Sequence, residues 1–295
     1  MDRRSFIFNS SVLMAGLTIA GFKSESPVIR FGVITDLHYA DMEKKNNRDC
    51  RQSIQKLQDA VAVFNKEKVD FVVELGDFKD QDKNKKWKDT IGFLKEIESV
   101  FAEFNGPRYH VLGNHDMDSI SKSDFLKNIT NTGISKRKSY YSFDMNDIHF
   151  VVLDGCFTSE EKDYNFGDFD WDDSYITQKQ LKWLKTDLAK TKNPTMLFIH
   201  QRLDEFATDK VGHCVANSKE VRGVLEKSGK AVAVFQGHEH TGDYSYRNGV
   251  HFFTQKAAVE GSLPNNSFSI VEVYANGDVK INGFVNCESR TLHRK

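Results

Sequence analysis

The chain has 295 residues, enough for one large domain or two small ones, and 39% of them are hydrophobic, which is enough to bury a substantial core. The formal net charge is -1, and lysines such as Lys83, Lys85, Lys86 and Lys88 sit among aspartates as on a solvated face. That balance leaves a nucleic-acid-coating role without support.

The first twenty-odd residues have the pattern of an export signal. Arg3-Arg4 precede Phe6, Ile7 and Phe8, and a small, apolar stretch runs from Val12 to Gly21. The stretch is shorter than the roughly 20 residues that span a bilayer, so no stable membrane span is expected once the signal is removed. Arg3-Arg4-Ser5-Phe6 is an imperfect match to a twin-arginine signal. We therefore expect residues 1–26 to be a signal peptide and linker, and the protein to be exported, periplasmic or secreted. Cys50, Cys156, Cys214 and Cys287 are widely spaced and form no CxxC pair, so free buried thiols are expected.

From Pro27 strand and helix alternate. Val28 to Thr35 reads as a strand. Ile54, Leu57, Val61 and Phe64 mark an amphipathic helix, and Phe71 to Leu75 is a short strand interrupted only by Glu74. Trp87, Ile91, Leu94, Ile97 and Phe101 mark a second helix, and Tyr109 to Leu112 a third strand. This order implies parallel pairing with helices packed on the sheet.

The second half adds antiparallel character. Tyr140 to Phe143 and Ile148 to Leu153 flank a polar turn, and Asn248-Gly249 and Asn276-Gly277 each sit between alternating strands as hairpin turns do. Met196 to Ile199 and Ala231 to Phe235 read as buried strands. Helices are expected near Thr177 and Asn217, each with capping-box spacing to Gln180 and Glu220. The acidic, aromatic-rich stretch Asp163 to Asp173 reads as an ordered connecting loop, with cover over a site as the less favoured role. Residues 27–295 thus read as one α/β domain with two stacked mixed sheets and helices outside.

Five motifs close five of these strands: Asp36-Leu37-His38, Gly76-Asp77, Gly113-Asn114-His115-Asp116, Ile199-His200 and Gly237-His238-Glu239-His240. Residues at the carboxyl ends of sheet strands converge on one crevice. Mixed imidazole and carboxylate ligands suit zinc, iron, manganese or nickel, and thiolate is absent. Seven ligands exceed the need of one ion that also binds water. They suit two divalent ions about 3.5–4 Å apart with a shared bridge, for which Asp77 is the natural choice. His110, His149 and His251 lie inside strands and read as structural, and His213, beside Cys214, is the remaining histidine of interest.

In order and spacing these motifs resemble those of the calcineurin-like metallophosphoesterases, over about Ile29 to Gly283. The resemblance implies a four-layer α/β/β/α sandwich of two mixed β-sheets flanked by helices. It implies that Asp36, His38 and His240 hold a first metal, that Asp77 bridges, and that Asn114, His200 and His238 hold a second. It also implies that His115 is not a ligand but assists the leaving group, with Asp116 orienting it, while a metal-activated hydroxide attacks phosphorus in line. Phe31-Gly32-Val33-Ile34, Tyr39-Ala40-Asp41, the Arg48 and Arg51 pair, Cys214-Val215-Ala216, the run from Gly237 to Tyr244, and Val259-Glu260 are similar to the manganese-dependent ADP-ribose/CDP-alcohol diphosphatase branch. That branch typically has Gln in place of His38.

Arg48, Arg51 and Arg202 are candidate clamps for a small phosphorylated substrate, because guanidinium pairs bidentately with phosphate. The expected function is dinuclear-metal-dependent hydrolysis of phosphate esters or nucleotide diphosphates, with manganese, iron or zinc as the metals. A nonspecific phosphomonoesterase is the alternative. A catalytically silent metal-phosphate binding protein is the reading from another class, and the retained His115 argues against it.

Overall fold

The computed structural model describes residues 26–294. The expected export signal lies outside these residues except for Ser26. In the first half, β1 (Ile29–Ile34), α1 (Ser53–Glu67), β2 (Phe71–Glu74), α2 (Trp87–Phe101), β3 (Arg108–His110) and α3 (Lys122–Asn128) alternate. β4 (Tyr141–Met145) and β5 (Ile148–Val152) then form a hairpin, followed by α4 (Gln178–Lys190), β6 (Thr195–Phe198), α5 (Ser218–Ser228) and β7 (Ala231–Gln236). β8 (Asp243–Arg247), β9 (Val250–Thr254), β10 (Ser267–Val273), β11 (Val279–Val285) and β12 (Arg290–Leu292) complete the order.

The strands form two six-stranded mixed sheets, ordered β12-β11-β10-β1-β2-β3 and β4-β5-β6-β7-β9-β8. β1, β2 and β3 are parallel, as are β5, β6, β7 and β9. Alternation along each strand explains the layers. Phe31 and Val33 of β1 point between the sheets, where they meet Phe71, Phe150, Phe198 and Phe235. Phe31 stacks on Phe71 at 4.9 Å and meets Phe150, Phe198 and Phe235 edge-on. Ile34, on the other face, packs under α1 and α2, and Leu197 and Val234 pack under α4 and α5. This is the expected α/β/β/α sandwich. Gly32 is needed inside β1 because a Cβ there would lie 2.7 Å from the Phe64 ring of α1.

Most elements fall within a residue or two of expectation, and the Asn248-Gly249 turn has both residues at positive φ. α3 was not anticipated. Its Ser121 cap accepts from the Asp124 amide, while the Asp124 carboxylate reaches back to the Ser121 amide. The expected cap at Asn217 differs in detail, since that side chain bonds both backbone groups of Ile176. Gln180 likewise turns from the Thr177 cap to Asp154. All four cysteines are free and buried. Among the described residues no helix is long and apolar enough to cross a membrane.

Candidate metal centre

Each of the five motifs leaves the carboxyl end of β1, β2, β3, β6 or β7, and the two sheets bring those ends together. Asp36, His38 and His240 place ligand atoms within 4.8 Å of one another, as do Asp77, His200 and His238. Asp77 Oδ2 joins the two groups, lying 3.4 Å from His38 Nε2 and 3.3 Å from His200 Nε2. His38 Nε2 is 3.3 Å from His240 Nε2, and His238 Nδ1 is 3.2 Å from His200 Nε2. Asp36, His38, Asp77, Asn114, His200 and His238 are all buried.

The local backbone is shaped for this convergence. Asp36, His38, Asp77 and His238 have φ of 54°, 47°, 54° and 67°, a left-handed conformation costing on the order of 1–3 kcal/mol per residue. Glycines supply the clearance: a Cβ on Gly113 would strike the Asp77 backbone, and one on Gly237 would lie 2.9 Å from Asp36 Oδ2. Glu74, the polar interruption of β2, accepts from the Gly76 amide at 2.6 Å and fixes the turn into Asp77. Burial pushes its carboxyl up to about 8.

The donor set fits two cations. Asp36 Oδ1 faces His240 Nε2 at 3.4 Å and His38 Nε2 at 3.8 Å without making a hydrogen bond, and Asn114 Oδ1 is buried with no hydrogen-bond partner. Buried polar atoms of this kind are rare unless a ligand completes them. Burial alone would raise the Asp36 carboxyl, but the His240 and His38 imidazoles outweigh it and hold it well below the usual range. Burial likewise opposes, and the His200, His115 and His38 charges reverse, the shift at Asp77. Burial lowers His200 and His240, yet the neighbouring carboxylates raise both to about 9. Those protons stand where cations would bind.

Outer contacts orient the imidazoles. His38 Nδ1 meets Asp80 at 3.1 Å, His200 Nδ1 meets the Leu75 carbonyl at 2.9 Å, and His240 Nδ1 meets Glu260 at 2.6 Å. His115 is about one-third exposed and its Nδ1 lies 2.7 Å from Asp118 and 3.6 Å from Asp80. Burial lowers its pKa, but the Asp80 and Asp77 carboxylates raise it well above the ordinary value.

Asp116 does not orient His115. Its two oxygens accept from the amides of Asp77, Phe78, Lys79 and Gly113, so it ties the second and third motifs together through backbone. The short 3-10 turn Asn114–Met117 points it away from His115 and brings Asp118 round to it.

The arginines separate. Arg48 pairs through its backbone with Glu260 beside His240, and its charge acts on His240, so it remains close to the site. Arg51 is exposed and spent on Asp41 and Glu43 at 2.6 and 2.5 Å. Arg202 is buried and forks onto both oxygens of Asp204 at 2.9 Å, with Asp243 at 2.8 Å, so it is a structural ion pair and not a free clamp. The acidic loop, in contrast, reaches the site. Its Trp171 ring lies 5.6 Å from the His238 ring and 5.3 Å from that of His213, whose Nδ1 is 3.1 Å from Glu239. Asp80, Asp118 and Trp171 were not singled out from sequence. Asp80 carried a usable signal, being three residues beyond Asp77 in the same turn.

Comparison with known proteins agrees with this geometry. The calcineurin-like phosphoesterase family model matches residues 29–242. The chain is 28% identical to a manganese-dependent ADP-ribose/CDP-alcohol diphosphatase of Arabidopsis thaliana, over 87% of this chain and 94% of that protein. It is 27% identical to the rice (Oryza sativa subsp. japonica) protein of the same name, over 85% of this chain and 90% of that one. Among solved structures, a dimetal phosphatase from Danio rerio shares the fold with a TM-score of 0.79 at 22% identity, covering 92% of this chain and all of that one. The chain belongs to the calcineurin-like phosphoesterases and is a metal-dependent phosphoesterase of the dinuclear kind.

Proposed function

We propose that this protein is an exported, manganese-dependent diphosphatase that hydrolyses the P–O–P linkage of small nucleotide diphosphates such as ADP-ribose or a CDP-alcohol. Residues 1–26 serve as signal and linker and 27–295 as the phosphoesterase domain. The observation that carries the reaction is the pair of ligand triads joined through Asp77 Oδ2, with half-open His115 beside them. The substrate class rests on the plant relatives, whose names specify ADP-ribose and CDP-alcohols and whose length this chain nearly spans. Trp171 supports it, as an aromatic side chain 44% exposed beside the second triad, suited to stack on a base.

Asp36, His38 and His240 would hold one cation and Asn114, His200 and His238 the other, with Asp77 between them. When bound, such a pair neutralises phosphate oxygens and lowers the pKa of a water toward ~7. The remaining work belongs to the chain. Asp80, Leu75 and Glu260 lock the ligand imidazoles, so little rearrangement accompanies binding. His115, held at Nδ1 by Asp118, presents Nε2 to the leaving oxygen and donates a proton there. Arg48 contributes positive charge at the first-metal side, acting on His240.

The test is a substrate panel on manganese-loaded protein: ADP-ribose, a CDP-alcohol, a phosphodiester and a phosphomonoester. Higher kcat/KM for the two diphosphates is expected. Preference for the monoester would overturn the diphosphatase assignment in favour of a general phosphatase. Export is tested separately, by fractionating cells of the native host and sequencing the N-terminus of the mature chain. A chain retained in the cytoplasm with residues 1–26 intact would refute it.

A further inference from the structure

Lys56 sits at the start of α1 and is fully buried. A buried ammonium is tolerated only where hydrogen bonds replace its hydration shell. One short segment of chain supplies them. Nζ donates to the carbonyls of Ala258, Val259 and Gly261 at 2.7, 3.0 and 2.6 Å, and reaches that of Glu260 at 3.5 Å. The segment is thereby curled around the ammonium.

The same segment touches the first triad at two of its ligands, His240 and Asp36. Glu260 holds His240 Nδ1 at 2.6 Å, and the amides of Ala258 and Val259 donate to the carbonyls of Thr35 and Asp36 at 3.0 Å each. Three residues before Lys56, on the same helix face, Ser53 Oγ donates to the Leu37 carbonyl between Asp36 and His38. One turn of α1 thus grips the backbone that carries Asp36 and His38 and the segment whose Glu260 orients His240. The second triad is anchored elsewhere, with His200 on the Leu75 carbonyl and Asp77 Oδ1 on the His115 amide at 2.8 Å.

We propose that Lys56 is a positioning residue for the first metal alone. Its caged ammonium sets the 258–261 segment so that Glu260 aims His240 into the cluster. Without it the first site weakens and the second is spared. The proposal rests on the dinuclear reading above, and its test reads metal rather than turnover.

Full-length protein, Lys56→Met and Glu260→Gln are titrated with manganese, and bound metal is measured by calorimetry and elemental analysis, with electron paramagnetic resonance to separate coupled from isolated ions. The native chain is expected to bind two manganese ions with a spin-coupled signal. Each variant is expected to keep one site at native affinity, to lose about 10- to 100-fold at the other, and to show an isolated-ion spectrum at limiting metal. A double variant no weaker than the weaker single one would place both residues on one path. Two ions bound at native affinity in Lys56→Met, or equal weakening of both sites, overturns the role. Should Lys56→Met fail to fold by circular dichroism, Glu260→Gln decides, and native binding there refutes the proposed transmission. A native chain that binds fewer than two ions would sink the dinuclear reading and the Lys56 role with it.

Discussion

His115 is tied down at one nitrogen and free at the other: Asp118 holds Nδ1, and Nε2 has no protein hydrogen bond among the described residues. Because it belongs to neither ligand triad, His115→Ala is expected to keep both metals while lowering kcat by about 10²–10⁴-fold. The loss should grow with the pKa of the leaving group. Metal analysis and a series of aryl and alkyl esters check this, and a loss equal across the series would leave His115 without an acid role. The ligand residues were legible in the sequence because each directly follows an apolar strand, so strand-end convergence places it. The orienting carboxylates were not. Choosing between Asp116 and Asp118 requires the direction of the 3-10 turn, and Glu260 meets His240 only through a fold that returns from β9 toward β10. The left-handed backbone at Asp36, His38, Asp77 and His238 is equally hidden, since nothing in the local sequence announces it except the glycines before Asp77 and His238.

At the level of elements, the arginines show where sequence proximity misleads. Arg202 lies two residues beyond His200, yet it faces Asp204 and Asp243, the latter at the start of β8. Arg202→Ala would leave Asp204 buried beside Gln236 and Ser245 without its cation. We expect a loss of roughly 3–5 kcal/mol in stability, as for other broken buried pairs, with KM for substrate little changed. Denaturant unfolding and steady-state kinetics distinguish the two, and a raised KM at native stability would restore Arg202 as a phosphate clamp. Long periodic elements such as α1 and α2 were readable because their apolar stripe repeats over 15 residues each. The 7 residues of α3 are too few to show a period. The loop bearing Trp171 carries no periodic signal either, and its position depends on Tyr164, which is buried and stacked on Phe169 at 3.9 Å.

For the whole molecule, bound cations would tie the two sheets together, because the ligands come from both. Asp36, His38, Asp77 and Asn114 come from one sheet, and His200, His238 and His240 from the other. Chelation should therefore lower thermal stability as well as abolish turnover. At a metal concentration of 100 Kd each site adds roughly 2.7 kcal/mol, and at about 2–4 °C per kcal/mol a chelated sample should melt roughly 5–10 °C lower for each site emptied. Differential scanning calorimetry with and without a chelator checks this, and an unchanged melting temperature would mean that the sheets hold together without help. The layered architecture was legible from the alternation of strand and helix, whereas the order of strands within each sheet was not, because pairing partners such as β1 and β10 lie far apart in the chain.

Ligands drawn from positions 36 to 240 and from both sheets also set a sequence of events. No pre-formed pocket exists in the unfolded chain, so loading follows folding. A chain that crosses a membrane already folded carries the cations of the compartment where it was made. One that crosses unfolded takes those it meets outside, where intrinsic affinity favours copper and zinc over manganese. On the proposed export, the place of folding, and not the ligand set alone, decides which ion the protein works with.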